Sequence, residues 1–467
     1  MKTNIQSFNG RKHTLAVLAA LVLATSGSAW AAHMGHLIEG VHGNVFTLAA
    51  KDGYISTADG NSVYFWGYGT NNGPAQYTGP TLIVNQGEVV TVTFNNYLPV
   101  PASILFPGQN VTASGGSLGL LTQEAAAASG GVPGSVSYSF TAVEPGTYLY
   151  HSGTQPDLQI EMGLVGALIV RPTGFNAMDD MTWKAYGHAD TKFEDENLYL
   201  LTEMDESIHD QVELQVKNNQ LVAVDMTKWY PVYWFINGRT GPDTMLPAYA
   251  SYLPVQPYPC MPMFHPGQKT LMRVLGGGRD PHPFHHHGNH SRIIARDGRL
   301  LSSGPGNGPD LSQEVFTIPS TPGSTFDALY SWTGEKLGWD PYGHMPGDPM
   351  EPGEYEPDHG KPFPVMLPPD QDLTFGTMYG GSPFLGTPGT LPPGQGGFNP
   401  SGGFMFMWHS HSEKEICNNN IFPGGMMTMA LVEAYPMVMP MPAMTQVAPT
   451  TEAVPAESTM TVAPSAD

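Results

Sequence analysis

The sequence predicts an all-β protein built as two β-sandwiches with long Gly/Pro-rich loops. Three observations support this. Short runs rich in β-branched residues recur with period-two alternation, as strands with one buried face require, and no 3.6-residue periodicity separates them. The chain holds 55 Gly and 44 Pro among 467 residues, roughly one in five against about one in eight on average, so turns take up much of its length. Charged residues make up only 13%, about half the usual quarter, which argues against coiled coils and salt-bridged helical arrays. Hydrophobic residues reach 40% and aromatics 10%, enough for packed cores. Nineteen basic against 41 acidic side chains give a net charge of -22, which repels nucleic acid and anionic membrane surfaces. A polynucleotide binder, a helical bundle and a transporter are thereby excluded as classes.

The elements follow in chain order. Lys2, Arg11 and Lys12 form a basic start, 14–24 is a short apolar stretch, and Ala29-Trp30-Ala31 offers a cleavage site. The expectation is a signal peptide over 1–31 and a periplasmic or extracellular protein. A first domain is expected over 32–175. Its strands are read at 80–84, 88–94, 135–140, 147–151 and 163–171, with Glu144-Pro145-Gly146 as a turn. A second domain, over 176–435, has strands expected at 198–202, 232–237, 269–275, 291–295, 315–318, 372–379, 404–409 and 427–432. Spacing of this kind predicts antiparallel Greek-key sandwiches. Long Gly/Pro excursions at 334–369 and 380–403 interrupt the second domain. The 436–467 segment reads as a disordered tail in which Met437, Met439, Met441 and Met444 offer soft thioethers.

Cys260 and Cys417 are the only cysteines, in a compartment that permits disulfides. A pair would close a loop worth on the order of 5 kcal/mol in the chain-entropy model. The alternatives are a metal-bound Cys417 thiolate, six residues after His411, or two free thiols.

Three histidine clusters sit at strand ends: His151 in Tyr150-His151-Ser152, then His282-Pro283-Phe284-His285-His286-His287-Gly288, then Trp408-His409-Ser410-His411. Residues i and i+2 of a strand share a face, so His285 with His287 and His409 with His411 are two imidazole pairs expected to converge within one metal's reach. Neutral imidazole suits copper, zinc, iron or nickel. His344, Met345 and His359 fall in the acidic long loop, which is expected to be solvated. Glu203, Met204, Asp205 and His209 form a polar group of unassigned spacing.

With these motifs in place, the chain resembles the multicopper oxidase family. Gly79-Pro80-Thr81 is similar to the start of its first domain, Pro145-Gly146-Thr147-Tyr148-Leu149-Tyr150-His151-Ser152 to that domain's histidine strand, and 163–170 to its last strand. Asn237-Gly238, the His282 run and Trp408 to His411, followed by Gly424-Gly425-Met426-Met427, resemble the later domain. The resemblance covers about residues 38–435 and implies two cupredoxin-like domains, as in two-domain laccases and nitrite reductases, which often form homo-oligomeric trimers with metal sites between domains. It implies copper as cofactor, with His151, His282, His285, His287, His409 and His411 as candidate ligands and a small-molecule reductant or oxidant as partner.

The departures are equally specific. Where the family places its first His-x-His, this chain has Leu105-Phe106-Pro107-Gly108, and the partner of His151 two residues on is Gly153. Ser410 replaces the cysteine of the blue copper site, and Glu415 falls at that site's later histidine. His282 remains from it. An alcohol cannot substitute for the thiolate that a blue site needs. The expectation is a reduced copper site without blue copper, with Glu413 or Glu415 as proton donor. Three readings follow: a copper-dependent oxidoreductase, a copper-sequestering protein, and a structural protein on a degenerate scaffold.

Overall fold

The computed structural model describes residues 35–362 and 404–433, together with the Ser382–Pro383 strand. The expected leader, the 372–379 strand and the Met/Pro-rich tail lie outside the described residues. The chain is all-β, in four large sheets. Strands up to Arg171 make two of them. One runs in the order Val41–His42, Leu82–Asn85, Val165–Arg171, Gly146–His151; the other runs Ser62–Thr70, Val45–Ser56, Val89–Asn96, Gly134–Thr141, Thr112–Gly115. Alternation drives these elements: in Val89–Asn96, Val90, Val92 and Phe94 are fully buried while Thr91 and Thr93 are not.

From Asp195 onward two further sheets form. The first is ordered Tyr233–Ile236, Asp195–Met204, Lys269–Gly276, Thr325–Ser331, Ser291–Arg296, Arg299–Leu300. The second is ordered Met263–Phe264, Met427–Val432, Phe404–Ser410, His282–His286, Thr317–Ser320. The sheets are mixed rather than purely antiparallel as expected. Asp195–Met204 lies parallel to Lys269–Gly276, and Leu82–Asn85 parallel to Val165–Arg171. Strands that share a sheet are separated in sequence by strands of the opposite sheet, so crossing back can bring them in with the same direction.

Several elements lie outside the strands expected from sequence. Val45–Ser56 and Ser62–Thr70 form a nine-pair hairpin. Glu206–Lys217 is a helix, started by Asp205, whose side chain accepts from Ser207 N. Ile208, Val212 and Val216 recur every four residues and pack against the first domain's core. The many polar residues between them hide that stripe. Among the described residues no helix is long and apolar enough to cross a membrane.

Each sandwich has its own core, and a third cluster joins them, with Ile55, Phe65, Tyr77 and Ile83 packed against Leu198, Leu200 and Phe235. Beside it, Glu196 bridges Arg171 and Arg273, each at 2.6 Å. Burial alone would raise the Glu196 carboxyl, but the two guanidiniums hold it at about 2.

Both cysteines are free thiols, so the expected disulfide does not form. Cys260 is committed to the second core, donating to Ile236 O at 3.1 Å, and burial pushes its thiol up to about 12. The described part of the long loop is also not the solvated excursion expected. Trp339 stacks on Phe404 at 12° between ring planes, and Tyr342 is buried.

Candidate metal centre

Strand register builds the site. Phe404–Ser410 runs antiparallel to His282–His286, with His409 directly opposite His285, Phe284 opposite Ser410 and His286 opposite Trp408. Directly opposite residues share a face and successive residues alternate. The odd-numbered set His285, His287, His409 and His411 therefore lies on one side. The even-numbered set Phe284, His286, Trp408 and Ser410 is buried on the other.

The odd-numbered imidazoles converge. Ring centroids are 4.9 Å apart for His285 with His287 and for His285 with His411. They are 5.5 Å apart for His285 with His409 and for His409 with His411, and 5.3 Å for His287 with His409. Ligand atoms of His285, His287 and His409 all lie within 4.8 Å of one another. His409 Nδ1–H donates to Ser410 O at 2.7 Å, leaving the Nε2 lone pair 3.3 Å from His287 Nε2. His285 Nδ1 is held by Thr317 Oγ1 at 2.9 Å. Burial, then the neighbouring imidazoles, lowers His285 to about 4, and His409 is lowered chiefly by burial. These rings are thus neutral at ordinary pH, the form that binds metal. The His287 carbonyl accepts from Tyr330 Oη at 3.1 Å and Trp408 Nε1 at 3.2 Å, which anchors the end of its strand.

His282 does not join this group, and as a candidate ligand it is a correction. It is even-numbered and faces the buried side. Its Nε2 donates to Glu203 at 2.8 Å and its Nδ1 to Glu415 at 2.9 Å. Burial alone would depress its pKa, yet the two carboxylates raise it to about 9. An imidazolium with both nitrogens donating has no lone pair for a metal. Glu415, expected near the histidine pairs as a proton donor, is instead buried in this clamp, while Glu413 is exposed. The unassigned polar group resolves the same way: Glu203 clamps His282, Asp205 caps the helix, and His209 sits against Tyr64 O and Glu161. A sequence signal for the clamp exists, since Glu415 stands where the family has a histidine.

His151 lies in the first domain and is not grouped with the four. Its Nδ1 donates to Ser152 O at 2.9 Å, and the residue opposite it is Leu105, bonded through both backbone N–H groups. Leu105 Cγ lies 2.7 Å from where a Cβ on Gly153 would sit. Leucine thus fills the space that imidazoles occupy in the second domain.

Residues 51–174 match the family model described as multicopper oxidase. Over that stretch the chain is similar to the multicopper oxidase family. Copper is the cofactor of multicopper oxidases, and three imidazoles with facing ring nitrogens are a donor set that fits it. Among relatives, 114 residues are 34% identical to a probable nitrite reductase-hydroxylamine oxidoreductase fusion protein of Kuenenia stuttgartiensis, covering 23% of this chain and 13% of that one. Another 106-residue match, 32% identical, is to the multicopper oxidase CTB12 of Cercospora beticola, covering 21% of this chain and 14% of that one. The matched stretch is thus a small part of either relative. The solved multicopper oxidase mgLAC shares the fold over 85% of this chain and 88% of its own, with TM-score 0.50 and 16% identity.

Proposed function

We propose that this protein is an exported copper-dependent oxidoreductase with a reduced copper complement and no blue copper. The observation that supports it is the convergence of His285, His287, His409 and His411 on one face of two paired strands, with the His285 and His409 rings neutral. When bound there, copper supplies one-electron redox chemistry toward a small-molecule reductant or oxidant. The chain supplies the rest. Thr317 and the Ser410 carbonyl hold the two Nδ1 atoms, so that Nε2 faces the cluster, and Tyr330 with Trp408 hold the His287 backbone. The face that a blue site would use is closed by the His282 clamp, which favours loss of that electron port. His151, with its Nε2 free of the Ser152 bond, serves in this reading as a ligand contributed between copies of a homotrimer.

The test is metal content and electron paramagnetic resonance on copper-reloaded protein, followed by oxidation of a small reductant with oxygen, peroxide or nitrite. About one copper per chain with a non-blue signal and turnover is expected. Tight copper without turnover replaces this reading with copper sequestration. No retained copper overturns it in favour of a structural role.

A further inference from the structure

We infer that the long loop after the Thr325–Ser331 strand carries a second metal site, a closed tetrahedral site for a zinc-type divalent ion. It is built by Asp340, His344, Glu354 and His359. One ligand atom from each lies within 4.8 Å of the others. His344 Nδ1 is 3.2 Å from Glu354 Oε1 and 3.4 Å from Asp340 Oδ2. His359 Nδ1 is 2.7 Å from the same Glu354 oxygen and 3.7 Å from the same Asp340 oxygen. Four of the six edges of a donor polyhedron are therefore known. A zinc tetrahedron with bonds near 2.0–2.1 Å has edges of about 3.4 Å, which these distances bracket.

The surroundings aim the donors inward. His359 Nε2 lies 3.0 Å from Asp348 O, the geometry of an Nε2–H donor, so that in the neutral ring the lone pair is on Nδ1. That nitrogen faces two carboxylate oxygens, an arrangement made favourable by a positive charge between them, either a proton on Nδ1 or a metal ion in its place. The other oxygen of each carboxylate is already held: Asp340 Oδ1 accepts from Tyr342 N and Glu354 Oε2 from Glu351 N. Gly360 N also donates to Asp340 Oδ2, at 2.8 Å. The His344 ring stacks on Tyr342 at 8°. Backbone donors that orient ligating carboxylates are the usual outer shell of a metal site. All four side chains are largely enclosed, with exposures of 1%, 17%, 2% and 15%. Two of the four, Asp340 and Glu354, are ordinary surface residue types, yet all four turn inward in a segment whose only regular element is the Glu356–Asp358 turn.

Four protein ligands leave no open position, so the site is structural rather than catalytic. It closes the loop between residues 340 and 359 much as a disulfide would, in a chain whose cysteines are free. No residue of the four-histidine cluster contributes, so the inference stands apart from the copper reading.

The test uses the full chain with His285→Ala and His409→Ala, which removes the other cluster, stripped with chelator and titrated with Co(II). One equivalent giving a visible band of tetrahedral intensity, displaced by Zn(II), is expected. Adding H344A and H359A should abolish the band. Absence of the band in the first variant, or its persistence in the second, overturns the site. As a check that does not depend on the folding of those variants, limited proteolysis of the wild-type chain within 334–362 should slow at least about 10-fold with Zn(II) over chelator; equal rates overturn it as well.

Discussion

The two sandwiches each set a histidine strand against an antiparallel neighbour, but with different residues opposite the histidine. In the second domain His409 faces His285 across an antiparallel pair, and His411 completes the row. In the first, His151 faces Leu105, and Gly153 stands where the second histidine would be. The backbone device is retained in both: His151 and His409 each donate Nδ1–H to the carbonyl of the serine that follows, Ser152 and Ser410. A ring whose tautomer is set in this way presents Nε2 outward. What differs is the opposing residue, an imidazole in one case and a leucine packed over glycine in the other. The orientation of a ligand is therefore a property of its own strand, whereas the existence of a site depends on the partner strand.

The largest effect should come from removing the second domain's row. H285A/H409A is expected to lower copper affinity more than about 100-fold, measured by competition with a copper chelator, because it removes two facing ligands. Retention of copper would show that the first domain holds it. Transplanting the row is the converse experiment. L105H/G153H places imidazoles opposite and two residues beyond His151, and copper content should rise from about one to about two per chain. An unchanged content would mean that register alone does not make a site.

The third contrast concerns the other face of these strands. Ala102 stands as far before Leu105 as His282 stands before His285, and it is buried, so the charged clamp has no counterpart at that position of the first domain. H282Q leaves Glu203 and Glu415 buried without their cation and should cost about 3–5 kcal/mol in denaturant unfolding. The folded pKa of His282, about 9, lies above its ordinary 6.5. The clamp's contribution is therefore complete below about 6.5 and lost as pH rises through about 9, so the gap between wild type and H282Q should narrow in that window. A gap independent of pH would mean that the ring is neutral.

The smallest expected effect is W408F. It removes one of the two donors to the His287 carbonyl while keeping an aromatic ring in the core. A loss of about 1 kcal/mol of stability and of roughly 10-fold in copper affinity is expected. Unchanged affinity would show that Tyr330 alone positions His287.

Much of this is legible in the amino-acid sequence, for a local reason. Alternation is a property of the strand backbone, so His285 with His287 and His409 with His411 must share a face once their segments are strands. The same parity separates His282 from them. The strands themselves are readable because buried and half-buried residues alternate along them, as in Val89–Asn96. The helix Glu206–Lys217 escapes because its apolar stripe is only three residues wide and polar in between.

Tertiary structure decided what faces what. Nothing local says that His285 lies opposite His409 rather than displaced by two, or that Leu105 lies opposite His151. Those pairings depend on how distant strands register when the cores close. Nor could spacing show that Glu203 and Glu415, 79 and 133 residues from His282, meet on its two nitrogens. Asp340, His344, Glu354 and His359 have no period to betray them, because the loop that carries them takes its shape from buried anchors such as Trp339 and Tyr342. Periodicity travels with the chain and is visible in the sequence; long-range pairing is set by which surfaces exclude water together, and only the folded molecule shows that.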